Sequence, residues 1–263
     1  MKTIMIDLPT YYPWSGRKKK TAKPWTYLKR AVLILFAVTI LPVIVLRGLP
    51  PPTSAFMLQQ YVLARWDNQN DFNIHYRWVD LEKISPHALQ AVIAAEDQKF
   101  PYHWGFDREA IAEAWEDRRK GTRIRGASTI TQQVAKNLFL WPGKSLVRKG
   151  IEAYFTVLIE ALWSKNRIVE VYLNIAQFGR GIYGISEASR KFFRKVPSRL
   201  SRKECALLAA ALPNPLRLRI DRPSAYMRQR TNQILKEMNR MGRIKLSHSV
   251  RCITPFPGRS ELI

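Results

Sequence analysis

The segment AVLILFAVTILPVIVL, residues 31–46, carries no charge in sixteen positions and follows a strongly basic stretch. Such a run has to be covered by protein or by lipid. It is shorter than the roughly 20 residues that a spanning helix needs. Tyr27 and Leu28 before it, and Leu49 after the lone Arg47, extend it if the flanking bases snorkel. Pro42 is better tolerated in a membrane helix than in a soluble one. Residues 1–30 hold eight Lys or Arg and one acid, Asp7. The positive-inside rule places this tail in the cytoplasm and everything after residue 47 outside it. A signal-peptide core is the alternative, but RGLPPPTSAF offers no small-x-small cleavage pattern. The reading is a single-pass anchor with its N-terminus inside.

With 263 residues and 46% hydrophobic content, the chain has room for one sizeable domain beside the anchor. Lys and Arg total 44 against 20 Asp and Glu, a net +24. That excess says little about fold but favours an anionic partner: nucleic acid, membrane surface or a phosphate-bearing substrate. An extracytoplasmic domain argues against nucleic acid. Cys205 lies in the apolar ECALLAAAL and Cys252 in the polar tail, with no disulfide framework in their spacing.

Beyond the anchor the pattern is helix after helix. The expected organisation is a basic tail over 1–30, the anchor over 31–48, a stiff linker over 49–64, one mostly α domain over 65–245 and a C-terminal tail over 246–263. Ser85-Pro86 opens a helix through Ala95. Asp107 caps REAIAEAWEDRRK, Ser128 caps TITQQVAKNLFL, and residues 145–163 form a long amphipathic stretch. Ser164 starts KNRIVEVYLNIA, and Ser201 with Glu204 makes a capping box before CALLAAAL. A last helix ends at Gly242.

Four stretches hold residues suited to chemistry. In AVIAAEDQKFPYHWG, Glu96 ends an apolar helix, where burial would raise its pKa into the range of a general base. A helix-end carboxylate paired with a base is the plainer account. In RIRGASTITQQVAKN, positions 128, 132 and 136 share a helical face. Ser128, Gln132 and Lys136 thus form a polar line beside Arg125, suited to a phosphate or diphosphate. Ile130, Val134 and Leu138 make the buried stripe. In RKGIE, Arg148 and Lys149 lie near one face with Glu152, either as an ordinary intrahelical pair or as an acid held among cations that binds a metal or orients a leaving group. In SKNRIVEVYLNIAQFGRGIYGI, Tyr172 and Asn174 precede a loop broken by Gly179, Gly181 and Gly184. No HExxH, CxxC, GxSxG or P-loop pattern occurs.

Together these stretches resemble the peptidoglycan glycosyltransferases of glycosyltransferase family 51, in their monofunctional branch. EDQKFPYHWG, RGASTITQQVAKN, RKGIE and KNRIVEVYLN…FGRGIYGI match the family's four motifs in order, and LLAAALPNP matches its closing segment. The resemblance covers about residues 65–240. It implies an all-α fold, with a lysozyme-like lobe and a small membrane-facing jaw, that polymerises lipid II at the outer face of the cytoplasmic membrane. Glu96 would be the general base and Glu152 a supporting acid. Asp97, Phe100, His103, Arg125, Ser128, Thr129, Gln132, Gln133, Lys136, Asn137, Arg148, Lys149, Tyr172, Asn174, Gly179 and Gly181 would bind substrate. No cofactor is obligatory on this reading, although Glu152 could reach the diphosphate through a divalent cation, Mg or Mn. Partners would be lipid II, the growing glycan, the membrane and proteins of cell-wall synthesis or division.

Gln177 and Arg180 depart from the family pattern, which tends to place an acid at the first. No KTG element is present, and the single SxxK match, Ser15 to Lys18, lies in the cytoplasmic tail, so no transpeptidase is expected. A glycan-cleaving enzyme of the lysozyme class would share the lobe and the lone Glu, but polymeric glycan offers no diphosphate for the cations to hold. A non-catalytic basic protein would fit the charge and leave Glu96 without purpose.

Overall fold

The computed structural model describes residues 24–69, 71–121, 128–143, 145–242, 244 and 246. The expectations resting on Arg125 and Cys252 lie outside these residues. Helix α1 (Pro24–Gly48) runs unbroken through Pro42, and over Trp25–Gly48 it is long and apolar enough to cross a membrane. Leu33, Ile34 and Leu35, which point in different directions around the helix, are all mostly exposed. A helix apolar on every side and without protein cover is suited to lipid.

The chain up to Val38 forms one unit, and from Thr39 onward it forms a second. Within the second unit the last turns of α1 are built into the core. Val43 is fully buried, and Trp163 donates from Nε1 to its carbonyl at 2.7 Å. Arg167 donates to the carbonyl of Leu46 at 3.1 and 2.9 Å and to that of Leu49 at 2.5 Å. Carbonyls at a helix C-terminus lack partners within the helix, and a cation there also complements the macrodipole.

Helix α2 (Ala55–Trp66) occupies most of the expected linker. Only LPPP before it is stiff, while AFMLQQYVLARW contains no Pro or Gly and buries Met57 and Ala64. Helix α3 (Pro86–Glu96) has Pro86 at its first position, but the Ser85 hydroxyl does not cap it. That hydroxyl donates instead to the Leu200 carbonyl at 3.0 Å, tying two segments together. Asp107 caps α4 (Arg108–Arg119) through the amides of Glu109 and Ala110, both at 3.1 Å. There follow α5 (Ile130–Phe139), α6 (Leu146–Leu162, capped by Ser145) and α7 (Lys165–Ile175, capped by Ser164). Then come α8 (Gly184–Phe193), α9 (Arg202–Ala211, with the Ser201–Glu204 capping box) and α10 (Ala225–Met241, ended by Gly242).

The core forms where α3 packs on α9 and α10, and where α5 packs on α6 and α7. Ile93, Ile130, Ile159 and Ile168 are fully buried there. Cys205 is buried in this core, and burial pushes its thiol pKa up to about 12. The expectation of a mostly α domain holds, with one small addition. Strands β1 (His75–Tyr76), β2 (Gln177–Gly179) and β3 (Ile182–Tyr183) form a sheet in the order β1-β3-β2, β3 being parallel to β1 and antiparallel to β2.

Candidate active site

The first turn of α5 organises the site. The expected cap, Ser128, is exposed; Thr129 caps instead, in a box with Gln132. The Thr129 side chain accepts from the Gln132 amide at 3.2 Å, and the Gln132 side chain accepts from the Thr129 amide at 3.0 Å. Gln132 is therefore spent on the helix start and does not join a polar line with Ser128 and Lys136. The amide that reaches the acid is Gln133, one position on. Its Nε2 donates to Glu96 Oε2 at 3.0 Å.

Asp97 joins the end of α3 to this helix start. Its Oδ2 accepts from the Ile130 amide at 3.0 Å, and its Oδ1 lies 2.8 Å from His103 Nε2. Phe100 packs edge-on against His103 and is itself fully buried. Below it, Lys165 donates to the His103 carbonyl at 2.7 Å and to Glu160 at 2.8 Å, and Glu160 also accepts from Thr131 at 2.6 Å. Sequence reasoning missed this Lys165–Glu160–Thr131 group; a Glu at the buried end of an amphipathic helix was its only sign.

Burial is the main influence on Glu96 and raises its pKa, against the Gln133 hydrogen bond and the charges of Arg230 and Lys136. Its Oε1 is buried and has no hydrogen-bond partner. Arg230 of α10 stands 3.5 Å from that oxygen. Arg230 was also missed, although it lies three and four residues from Met227 and Ile234 on the buried stripe of α10. A cavity of about 310 Å³ adjoins Glu96, with Glu113 and Asp117 of α4 on its far wall.

Lys136, one turn along α5 from Gln133, has its pKa lowered by burial foremost; Glu152 opposes this, while Arg148 and Lys149 reinforce it. Glu152 is 2% exposed. Arg148 bonds it at 3.1 Å and Lys149 bonds its other oxygen. The intrahelical pairing of the plain reading is present, and it is buried and within electrostatic range of Lys136. A divalent cation fits poorly here. Both carboxylate oxygens of Glu152 are occupied by cations, and no group of three or more His, Cys, Asp or Glu suited to a metal occurs among the described residues. No step is assigned to a metal.

Tyr172 joins the site through its hydroxyl, which donates to Gln133 Oε1 at 3.1 Å. Asn137 is half-buried on α5, one residue past Lys136. Asn174, Gly179 and Gly181 serve the fold elsewhere. Asn174 is fully buried and brackets Val79, accepting from its amide at 2.9 Å and donating to its carbonyl at 2.8 Å. Gly179 lies in β2. Gly181 has φ +70, and a Cβ there would stand 2.3 Å from the Asn73 carbonyl oxygen. Of the two departures, Arg180 donates to Gln69 Oε1 at 2.5 Å and Gln177 to the Gly179 carbonyl at 3.1 Å.

The site thus pairs a buried carboxylate having one oxygen without a hydrogen bond with a group of three cations around a second acid. The same segments lie within the stretch that is similar to known proteins. The transglycosylase family matches residues 62–239. The chain belongs to that family. It is 46% identical over 242 residues to a protein of Pasteurella multocida named biosynthetic peptidoglycan transglycosylase, covering 88% of this chain and 98% of that one. A protein of the same name from Pectobacterium carotovorum is 49% identical, with 87% and 95% covered. One from Cronobacter sakazakii is 50% identical, with 81% and 88% covered.

Proposed function

We propose that Glu96 is the general base of an inverting glycosyl transfer between lipid II units. The family makes the chain a peptidoglycan glycosyltransferase of cell-wall synthesis. The 4-hydroxyl of the acceptor GlcNAc gives its proton to Glu96 Oε1 as its oxygen bonds to C1 of the MurNAc at the growing end. The bond from C1 to the diphosphate breaks on the opposite face, and undecaprenyl diphosphate leaves with the electron pair. Lys136, Arg148 and Lys149 meet the charge that develops on the leaving diphosphate, where fixed cations in a partly dry cleft contribute most. Glu152 holds two of those cations in place. The anchor sets the domain at the outer face of the cytoplasmic membrane, with the N-terminus inside. Lipid II and the nascent glycan are its partners, and proteins of wall synthesis or division can dock beside it.

The observation that carries this reading is the unbonded, buried Oε1 of Glu96 within electrostatic range of Lys136. The test is to give the purified full-length protein labelled lipid II and, separately, intact sacculi. Polymer from the first and no release from the second is the expected result. Release of soluble glycan without polymer would assign the site to cleavage instead.

A further inference from the structure

We propose that Arg230, on the C-terminal helix and outside the four motifs, is a positioning residue that keeps Glu96 ionised and ready to accept a proton. The proposal rests on Glu96 being the base. Glu96 uses one oxygen, Oε2, to accept from Gln133. The other, Oε1, is left without a hydrogen bond although it is buried, and Arg230 Nη2 stands 3.5 Å from it. That gap is too long for a good hydrogen bond and short enough for strong charge attraction. The guanidinium therefore favours the carboxylate without occupying the lone pair that would take the acceptor's proton.

The helix that carries Arg230 is well held. The Arg230 side chain is 24% exposed, and its neighbours Met227, Thr231 and Ile234 are buried. Thr231 donates to the Met227 carbonyl at 2.8 Å. Helix α10 is fixed to α3 at a second point, where Gln90 donates to the carbonyls of Met238 and Gly242 at 2.7 and 2.5 Å.

The groups facing Glu96 come from every side. Gln133 and Lys136 lie on α5, Tyr172 on α7, Asp97 next to it, Glu113 and Asp117 across the cavity on α4, and Arg230 on α10. The buried face of α9, Cys205, Ala206, Leu208 and Ala209, carries no charge. Among the described residues, Arg230 and Lys136 are the two cations acting on this carboxylate, and Lys136 also answers to Glu152. Each turnover deposits a proton on Glu96. Arg230 lowers the energy of the carboxylate relative to that neutral state and so favours return of the base to its charged form before the next sugar arrives.

The experiment compares lipid II polymerisation by wild type, Arg230→Gln, Arg230→Lys and the exposed control Arg228→Gln across pH, alongside Glu96→Gln. The acid limb of kcat for Arg230→Gln is expected to move up by about one pH unit, as for the loss of an opposite charge at this range. Its rate should be about tenfold lower on that limb and meet wild type at higher pH. Arg230→Lys should recover most of the shift, Arg228→Gln should match wild type, and affinity for a phosphoglycolipid inhibitor should be unchanged in all three. An unmoved limb in folded Arg230→Gln, or an equal loss at every pH with a raised KM, overturns the proposal. Full activity in Glu96→Gln would instead remove the base reading beneath it. Should Arg230→Gln not fold, the double variant with Glu96→Gln decides. Recovery of folding there shows that the buried Glu96 charge is what needs Arg230, and continued failure shows that Arg230 serves packing alone.

Discussion

The Tyr172 hydroxyl donates to Gln133 Oε1 at 3.1 Å, while Gln133 Nε2 donates to Glu96 Oε2 at 3.0 Å. A phenol that gives its proton to the oxygen leaves the nitrogen, a donor, turned toward the carboxylate. Tyr172 is 1% exposed and its own pKa is raised well above the usual value by burial, so it stays a donor across the working range.

Gln133→Leu is accordingly expected to raise the pKa of Glu96, because it removes the hydrogen bond that favours the charged form. The acid limb of kcat/KM should shift to higher pH. Tyr172→Phe should shift it less and in the same direction, since the amide is then free to turn over. A pH–rate series on the two variants checks the order.

Glu96→Gln should lower polymerisation by about 10²- to 10⁴-fold, the range for loss of a placed general base. Its stability should also respond to pH in a defined sense. Between the ordinary value of 4.5 and the raised folded value of Glu96, the folded state holds more protons than the unfolded one, so wild-type stability falls as pH rises. The variant lacks that slope. Its advantage in Tm over wild type should therefore grow through this window and level off above it. Thermal melts at several pH values would expose the opposite trend.

Lys136→Met keeps an apolar stem in a buried position and removes the cation. It should cost about 10²-fold or more in kcat, as for removal of one preorganised group from a developing charge. Binding of a phosphoglycolipid inhibitor should weaken while Tm holds or rises, because burial lowers the lysine pKa. For the same reason the alkaline limb of wild-type activity should fall below the ordinary lysine value of 10.5. Calorimetry and a pH–rate curve test the two parts.

Asp97→Ala leaves the Ile130 amide and His103 Nε2 without their partner inside the protein. A buried donor stranded in this way costs about 1–3 kcal/mol, so denaturant melts should show a loss of that order or more. A neutral result would mean that water replaces the carboxylate and that the helix start does not depend on it.

The helix pattern was legible because serines and aspartates mark starts by a local mechanism. Asp107, Ser164 and Ser201 each cap where the sequence places them. Ser128 misled because Thr129 beside it has the same chemistry, and the choice between them fell to a tertiary bond, Thr129 to the Gly105 carbonyl at 2.7 Å. That one-residue change turned Gln132 inward and gave the site Gln133. Asn174 and Gly181 looked functional because they stand next to the motif that carries Tyr172. Their true partners, Val79 and Asn73, are about a hundred residues earlier. Arg230 was invisible for a related reason, since nothing local to α10 announces an acid 134 residues upstream.

The hold of Arg167 on the end of α1 makes the last turns of that helix part of the domain's own unit. Thr39 lies 3.0 Å from the Tyr154 hydroxyl, and on the helix that carries Tyr154 the side chains of Val147 and Val157 are 72% and 56% exposed. The domain thus has a greasy footing of its own, built from α6 and that helix end together, on which it can stand against an apolar medium.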